Sequence, residues 1–326
     1  MKNKPIIIVA GEPYSVFLEI LFKCIKSNIK LVKNPILLIA SKKIVSAQMK
    51  KLGFRIKIHE TQYSERNIKL FKDKINLIDV NFKSNKVFDK VSIKSKNYIE
   101  KCFKIGIQLM SDNKGLALIN GPVSKVSFLD KNSPGITEYL ANKLKIKGKE
   151  VMLIYHKNLS VCPITTHFPL KNIFRELSIG KIMSKVKVIN AFYKKVLKKK
   201  PKIGVTGLNP HCESYEKFNE EKKLIIPAIM KLKKEKINIK GPFPADTIFL
   251  KKNRKNFDVI VGMYHDQVLG PAKTLYEFNA INITLGLPFI RITPDHGPNN
   301  LMLGKNKSDP SSLIEAFKFI NNLRAN

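Results

Sequence analysis

Short, strongly apolar runs take turns with amphipathic stretches of helix length all along this chain, and that alternation leaves few folds open. The runs at 5–10, 35–40, 115–119, 151–154, 161–165, 202–206, 259–263 and 280–284 read as strands. A sheet with one wet face would interleave polar residues; these runs do not, so they suit strands covered on both faces. Strands alternating with helices point to an α/β fold, a largely parallel sheet with helices packed against it. With 326 residues, 44% of them hydrophobic, the chain can bury a large core, and its length favours two lobes over one.

Local signals place some helices. Asn219 is a capping residue, and Glu220 and Glu221 behind it match the positive end of a helix dipole. Pro227 should kink or shorten that helix. Asp309 followed by Pro310 starts a final helix through Leu313, Ala316, Phe317 and Ile320. The lysine-rich stretch 81–96 reads as a surface excursion, and there is no internal repeat or long low-complexity linker.

The formal net charge of +35 invites a nucleic-acid reading, but the arginines are only Arg55, Arg66, Arg175, Arg254, Arg291 and Arg324. Surfaces that read bases and clamp phosphates favour the arginine fork. Lysine scattered among asparagine and isoleucine instead gives solvated faces, as at 198–200 and 231–236, so no specific nucleic-acid partner is expected. The positive field would still draw in anionic ligands, phosphorylated metabolites included. No run approaches the ~20 apolar residues of a membrane span. The stretch 6–10 is also shorter than a signal-peptide core, so no membrane association and a cytoplasmic location are expected. Cys24, Cys102, Cys162 and Cys212 show no CxxC spacing, which fits free thiols in a reducing compartment.

The histidines carry the chemical signal. His167, His211 and His265 each follow directly on a strand candidate. Ligands of open α/β sheets sit beyond the carboxyl ends of the strands. Three imidazoles delivered to that edge could hold Zn²⁺ or a similar divalent ion and leave positions open for substrate. One histidine after a strand is more often a hydrogen-bonded loop residue, and sequence alone leaves the convergence open. Cys212, next to His211, is a ligand or an ordinary thiol. Asp246 follows two prolines that stiffen its loop, Asp266 and Gln267 adjoin His265, and Lys273, Asn282 and Arg291 follow at loop-and-strand spacing. A lysine and an arginine beside a metal suit a phosphate or carboxylate, although for Lys273 taken alone a surface role is the favoured reading.

Several strings together resemble one family: Asn120-Gly121-Pro122-Val123-Ser124-Lys125, Thr137-Glu138-Tyr139-Leu140-Ala141, Thr165-Thr166-His167-Phe168-Pro169-Leu170, Gly207-Leu208-Asn209-Pro210-His211, and the segments 241–249, 263–267 and 282–291. They occur in the order seen in 4-hydroxythreonine-4-phosphate dehydrogenases of pyridoxal phosphate biosynthesis, and the likeness runs from Gly11 to the final helix. The resemblance implies a two-lobed α/β/α fold similar to isocitrate and isopropylmalate dehydrogenases, with the active site in the interdomain cleft. A discontinuous first domain on the cofactor side (1–128 plus 255–326) and a second carrying metal ligands and dimer contacts (129–254) are expected. A homodimer would share the active site. By the same resemblance His167, His211 and His265 hold a divalent metal (Zn, Mg or Co), and Thr137, Lys273, Asn282 and Arg291 bind substrate. The implied reaction oxidises 4-phosphooxy-L-threonine with NAD⁺ and decarboxylates the product to 3-amino-2-oxopropyl phosphate. Asp246, Asp266 and Lys273 are then the catalytic candidates, and Asp295, His296 and Gly297 belong to the cofactor loop.

The chain departs from the family pattern at the periphery. Ile136 stands where a histidine is usual before the Thr-Glu pair, and Ser124 stands where another histidine is usual. The glycine-rich start after Gly-Glu-Pro is replaced by Tyr14-Ser15-Val16-Phe17, and 298–301 replaces the usual Thr-Ala and downstream aspartate. The three histidines are intact. Two alternatives follow: an oxidative decarboxylase of another phosphorylated hydroxy acid, or a family member that has lost catalysis.

Overall fold

The computed structural model describes residues 4–28, 32–62, 68–124, 128–129, 135–213, 219–294 and 297–325. In chain order the elements begin β1 (Ile6–Val9), α1 (Phe17–Asn28), β2 (Ile36–Ala40), α2 (Lys42–Lys51), β3 (Ile58–Glu60), β4 (Ile75–Asp79), α3 (Lys96–Ser111), β5 (Ala117–Asn120) and α4 (Ile136–Lys143). Next come β6 (Val151–Tyr155), β7 (Ser160–Pro163), α5 (Ile173–Glu176), α6 (Ile179–Lys195), β8 (Ile203–Thr206), α7 (Ile226–Lys234) and β9 (Ile239–Phe243). The chain ends with α8 (Ala245–Ile248), α9 (Lys251–Arg254), β10 (Val259–Gly262), α10 (His265–Tyr276), β11 (Ile281–Leu285), β12 (Arg291–Pro294) and α11 (Ser311–Ala325). Every run expected to be a strand is one, and nearly all of these strands are buried along their whole length, as two-sided cover requires.

The chain divides into two compact units, 1–140 with 288–325, and 141–287. In the first, the strands run in the order β3-β4-β2-β1-β5-β12, and every pairing is parallel. In the second the order is β11-β6-β7-β10-β8-β9, with β7, β10, β8 and β9 parallel and β6 antiparallel to both β7 and β11. The first unit is discontinuous, and by contact the units divide after 140 and after 287, where the expected domains divide after 128 and after 254. Segment 259–285 belongs to the second unit because β10 lies between β7 and β8, and β11 pairs with β6. The break near 255 is an expectation from the family resemblance; ladder hydrogen bonds hold 259–285 in the second sheet.

Four strands escaped the sequence reading, each for a physical reason. β3 has only three residues, at a sheet edge. β4 carries Asn76, fully buried because its side chain bonds Ile36 O and the backbone of Phe71. β9 contains Lys240 and Pro242, tolerated at an edge. β12 opens with a buried arginine. Asn219 Oδ1 does cap its helix, accepting from Lys222 N at 3.0 Å. Pro227 marks where the π-helical turn Glu221–Ile225 gives way to α7. At the last helix, Asp309 Oδ1 accepts from Ser311 N at 2.8 Å, and the four apolar residues expected inward are fully buried.

In the second unit, Val268 and Ala272 seat α10 on a core shared with Val161, Ile260, Phe249 and Phe257. That packing fixes the start of α10 directly above the end of β10. The four cysteines are free thiols, three of them buried. Among the described residues no helix is long and apolar enough to cross a membrane.

Candidate functional site

Three neighbouring parallel strands of the second unit end in the three expected histidines. β7 closes at Pro163 and leads to His167, β10 closes at Gly262 and leads to His265, and β8 closes at Thr206 and leads to His211. Adjacent strands lie ~4.8 Å apart, so the three exits start within about 10 Å of one another. The rings of His167 and His265 are 6.0 Å apart, centre to centre. Two imidazoles sharing a tetrahedral ion at ~2.0–2.1 Å have ring centres about 5 Å apart, so this pair stands close to a ligating arrangement. Among the described residues, no three His, Cys, Asp or Glu side chains of one chain gather into a metal-holding group. His167 and His265 thus face each other, and His211 leaves the adjoining strand. The donor chemistry suits a divalent ion, with His211 delivered from the next strand.

His265 opens α10, and its Nδ1 meets Asp266 Oδ1 at 2.6 Å, so Asp266 stands where a carboxylate orients an imidazole. Asp246 lies exposed in the first turn of α8 and close enough to Cys212 to act on its thiol. Burial, and then the carboxylates of Glu221, Asp246 and Glu213, push Cys212 up against an opposing backbone bond at Gly207, which favours the protonated thiol over a metal ligand.

The His211 turn is unusual. His211 and Cys212 both have left-handed backbones, φ 55° and 62°, which cost non-glycine residues on the order of 1 kcal/mol each. Glu221 holds the turn: its Oε1 accepts from Leu208 N at 2.7 Å and Asn209 N at 2.8 Å, and its Oε2 from Asn209 Nδ2 at 2.9 Å. Burial raises this carboxyl, but the Asn209 and Leu208 donors outweigh it and hold Glu221 below the usual carboxylate range. Gln267 ties the turn to the next strand exit. Its Oε1 accepts from Thr206 Oγ1 at 2.8 Å and Met263 N at 2.7 Å, and its Nε2 donates to Gly207 O at 2.8 Å. Thr165 Oγ1 donates to Met263 O at 2.7 Å and links the third exit. Two glycines make this closeness possible. A Cβ on Gly207 would lie 2.7 Å from Cys212 Sγ, and one on Gly262 2.4 Å from Val268 Cγ1.

In the first unit, Arg291 is fully buried. Its Nε donates to Asn120 Oδ1 at 2.7 Å and its Nη1 to Thr137 Oγ1 at 3.3 Å, while Thr293 Oγ1 donates to the same Asn120 oxygen at 3.2 Å. Burial pulls its pKa from 12.5 to about 9, against the attraction of Glu138, and the group stays cationic at neutral pH. Thr137 is the second residue of α4, next to Ile136, so the buried guanidinium sits by a helix start, a combination suited to an anionic group. Elsewhere, Asn282 in β11 has its Oδ1 buried without a hydrogen-bond partner among the described residues. An acceptor left so costs ~1–3 kcal/mol until a donor reaches it. Lys273 lies two turns into α10 from His265, about 12 Å along the axis, with Nζ 5.7 Å from the Phe278 ring centre.

Asp295 and His296 of the expected cofactor loop lie outside the described residues. Gly297 is exposed, and the next residue, Pro298, accepts from Val16 N at 3.2 Å. Two departures from the family pattern thus contact each other. A second contact joins the same β1–α1 loop to the surface excursion: the Tyr14 hydroxyl bonds the Ser84 hydroxyl and donates to Lys86 O. Asn120, Glu221 and Gln267 were missed as site residues. Glu221 read only as a helix-start charge, and nothing short of its burial could have shown that it grips the His211 turn.

Comparison with known proteins agrees with this picture. The family model "Pyridoxal phosphate biosynthetic protein PdxA" matches residues 32–320. A 4-hydroxythreonine-4-phosphate dehydrogenase of Sulfurihydrogenibium sp. is 39% identical over 95% of both chains. A relative from Oceanobacillus iheyensis, named for D-threonate 4-phosphate dehydrogenase activity, is 33% identical over 97% of both. The structure of a Salmonella typhimurium protein, titled as a 4-hydroxythreonine-4-phosphate dehydrogenase, superposes with TM-score 0.84 at 27% identity, covering 98% of this chain and 99% of that one. A β-decarboxylating dehydrogenase from Thermococcus kodakarensis shares the fold, with TM-score 0.52 at 10% identity over 99% of this chain and 84% of that one. The mixed α/β fold is thus related to the β-decarboxylating dehydrogenases, and the chain belongs to the PdxA family of dehydrogenases.

Proposed function

We propose that this chain oxidises the secondary alcohol of 4-phosphooxy-L-threonine with NAD⁺ and releases CO₂ to give 3-amino-2-oxopropyl phosphate. The observation that carries this reading is the exit of His167, His211 and His265 from three adjacent parallel strands, in a family whose 39% identical member bears that activity in its name. His167, His211 and His265 would hold a divalent ion (Zn, Co or Mg), which when bound supplies Lewis acidity for the alcohol and for the charge left by CO₂ loss.

The chain's own residues supply the rest. Arg291, with Thr137 beside it, takes an anionic group of the substrate, and its burial raises the strength of that pairing. Lys273 is the second cation for the other anionic end. Asn282 Oδ1 accepts from the substrate ammonium, which removes the cost of its orphaned state. Asp266 orients His265, and Asp246 or Asp266 would take the alcohol proton; NAD⁺, when bound, would supply the hydride acceptor. The β-keto acid then loses CO₂, its bonding pair passes to the enolate, and Lys273 returns a proton to carbon. By the family resemblance Asp295, His296 and Gly297 would serve the cofactor.

The working unit is a homodimer with a shared site. Two observations support it: among the described residues of one chain no three metal-binding side chains form a metal-holding group, and Phe168, Leu170 and Phe174, directly after His167, are 43%, 70% and 50% exposed. A second reading, D-threonate 4-phosphate as substrate, is favoured by the 33% identical relative and by Ile136, which makes the start of α4 less polar. The two substrates differ in an amino group against a hydroxyl. NADH formation with each, at equal metal and NAD⁺, separates them. A higher kcat/KM for 4-phosphooxy-L-threonine is expected, and a reversed preference would assign the second reading.

A further inference from the structure

We infer that Gln267 and Glu221 are positioning residues that set the His211 turn in register with the His265 turn for metal binding; the inference rests on the metal site proposed above. Gln267 is the third residue of α10, where a glutamine side chain commonly reaches back to its own helix start. Its bond from Met263 N does that. Its other two bonds do something a cap does not need: they cross to β8, taking Thr206 Oγ1 and giving to Gly207 O. One amide therefore joins the exits of two strands, each a few residues before a histidine. Its oxygen takes both donors and its nitrogen meets a carbonyl, so the amide orientation is fixed by its partners.

Glu221 grips the other side of the same turn. Both of its oxygens are spent on Leu208 and Asn209, the residues between Gly207 and Pro210. Neither Gln267 nor Glu221 can reach a ligand while making these bonds, and both side chains are almost wholly buried. The left-handed pair at His211 and Cys212 follows immediately. A turn of that shape keeps its imidazole in one place only if its lead-in is fixed. Gln267 fixes it to β10, and Glu221 fixes it to the helix that follows.

The test is Co²⁺ binding by the full chain, followed by calorimetry and by the visible absorption of the bound ion, with Co²⁺ alone as the probe. Removing an outer partner of a metal ligand lowers metal affinity by about 10–100-fold. That loss is expected for Gln267→Met, which keeps volume and loses all three bonds, and for Glu221→Leu. Glu221→Gln keeps an oxygen for the two backbone donors and should recover most of the affinity, a rescue that a mere loss of stability would not show. Gln267→Glu, nearly isosteric, turns only the contact with Gly207 O repulsive, and serves if the methionine variant does not fold. Folded variants with wild-type Co²⁺ affinity and an unaltered spectrum would overturn the inference while leaving the metal site standing. If His211→Ala binds Co²⁺ like the wild type, or the wild type binds none, the metal reading itself fails and the inference falls with it.

Discussion

Replacing Arg291 by methionine should leave the stability of the ligand-free protein little changed and make the enzyme far worse. The guanidinium is fully buried, and burial lowers its pKa from 12.5 to about 9. A fall of roughly 3.5 pH units at ~1.4 kcal/mol each corresponds to about 5 kcal/mol for keeping the charge out of water. Against this, the variant loses the two bonds to Asn120 Oδ1 and Thr137 Oγ1, about 1.5–3 kcal/mol each for a charged donor and so ~3–6 kcal/mol together. Asn120 keeps its bond from Thr293, so no acceptor is stranded there. The two sides nearly offset, and the net expectation is a stability change within ~2 kcal/mol of zero. The catalytic loss is larger: an anion paired to a buried arginine is worth at least ~3 kcal/mol, so kcat/KM should fall by about 10²–10⁴-fold. Urea denaturation with and without substrate, beside steady-state kinetics, measures both. A variant destabilised by more than ~2 kcal/mol with kcat/KM intact would refute the reasoning, because Arg291 would then be a structural cation and not one held ready for an anion.

Other perturbations address the remaining parts. Asp266→Asn should weaken metal binding by about tenfold at most, the low end for an outer carboxylate, because Asp266 is 84% exposed and screened; calorimetry checks it. Ile136→His places a polar group at the start of α4 and should raise kcat/KM for 4-phosphooxy-L-threonine over D-threonate 4-phosphate by several-fold, read from parallel NADH assays. The double change Leu170→Asp and Phe174→Asp should shift the protein from dimer to monomer in light scattering and abolish turnover with it; an unchanged dimer would place the interface elsewhere.

The strands buried on both faces were legible because continuous apolar runs such as 6–9 and 259–262 have no other stable use in a chain of this size. The metal-ligand candidates were legible for a related reason: a histidine directly after such a run must emerge at the carboxyl edge of the sheet. What the runs could not reveal is which strands are neighbours. That β10 inserts between β7 and β8, and so brings His265 between the exits leading to His167 and His211, is a fact of long-range pairing. β12 stayed hidden because its first residue, Arg291, looks like a surface residue until Asn120 and Thr137 are seen beside it. Asn120 and Glu221 act through burial and hydrogen bonding, neither of which leaves a periodic trace in sequence.

The account turns on a metal-dependent hydride transfer. The most direct test is the initial rate of NADH formation from 4-phosphooxy-L-threonine and NAD⁺ by chelator-treated protein, titrated with Zn²⁺, Co²⁺ or Mg²⁺. Activity absent after chelation and restored in proportion to added metal, in the wild type but not in His211→Ala, is the predicted result. Turnover that survives chelation, or that His211→Ala retains, would contradict it.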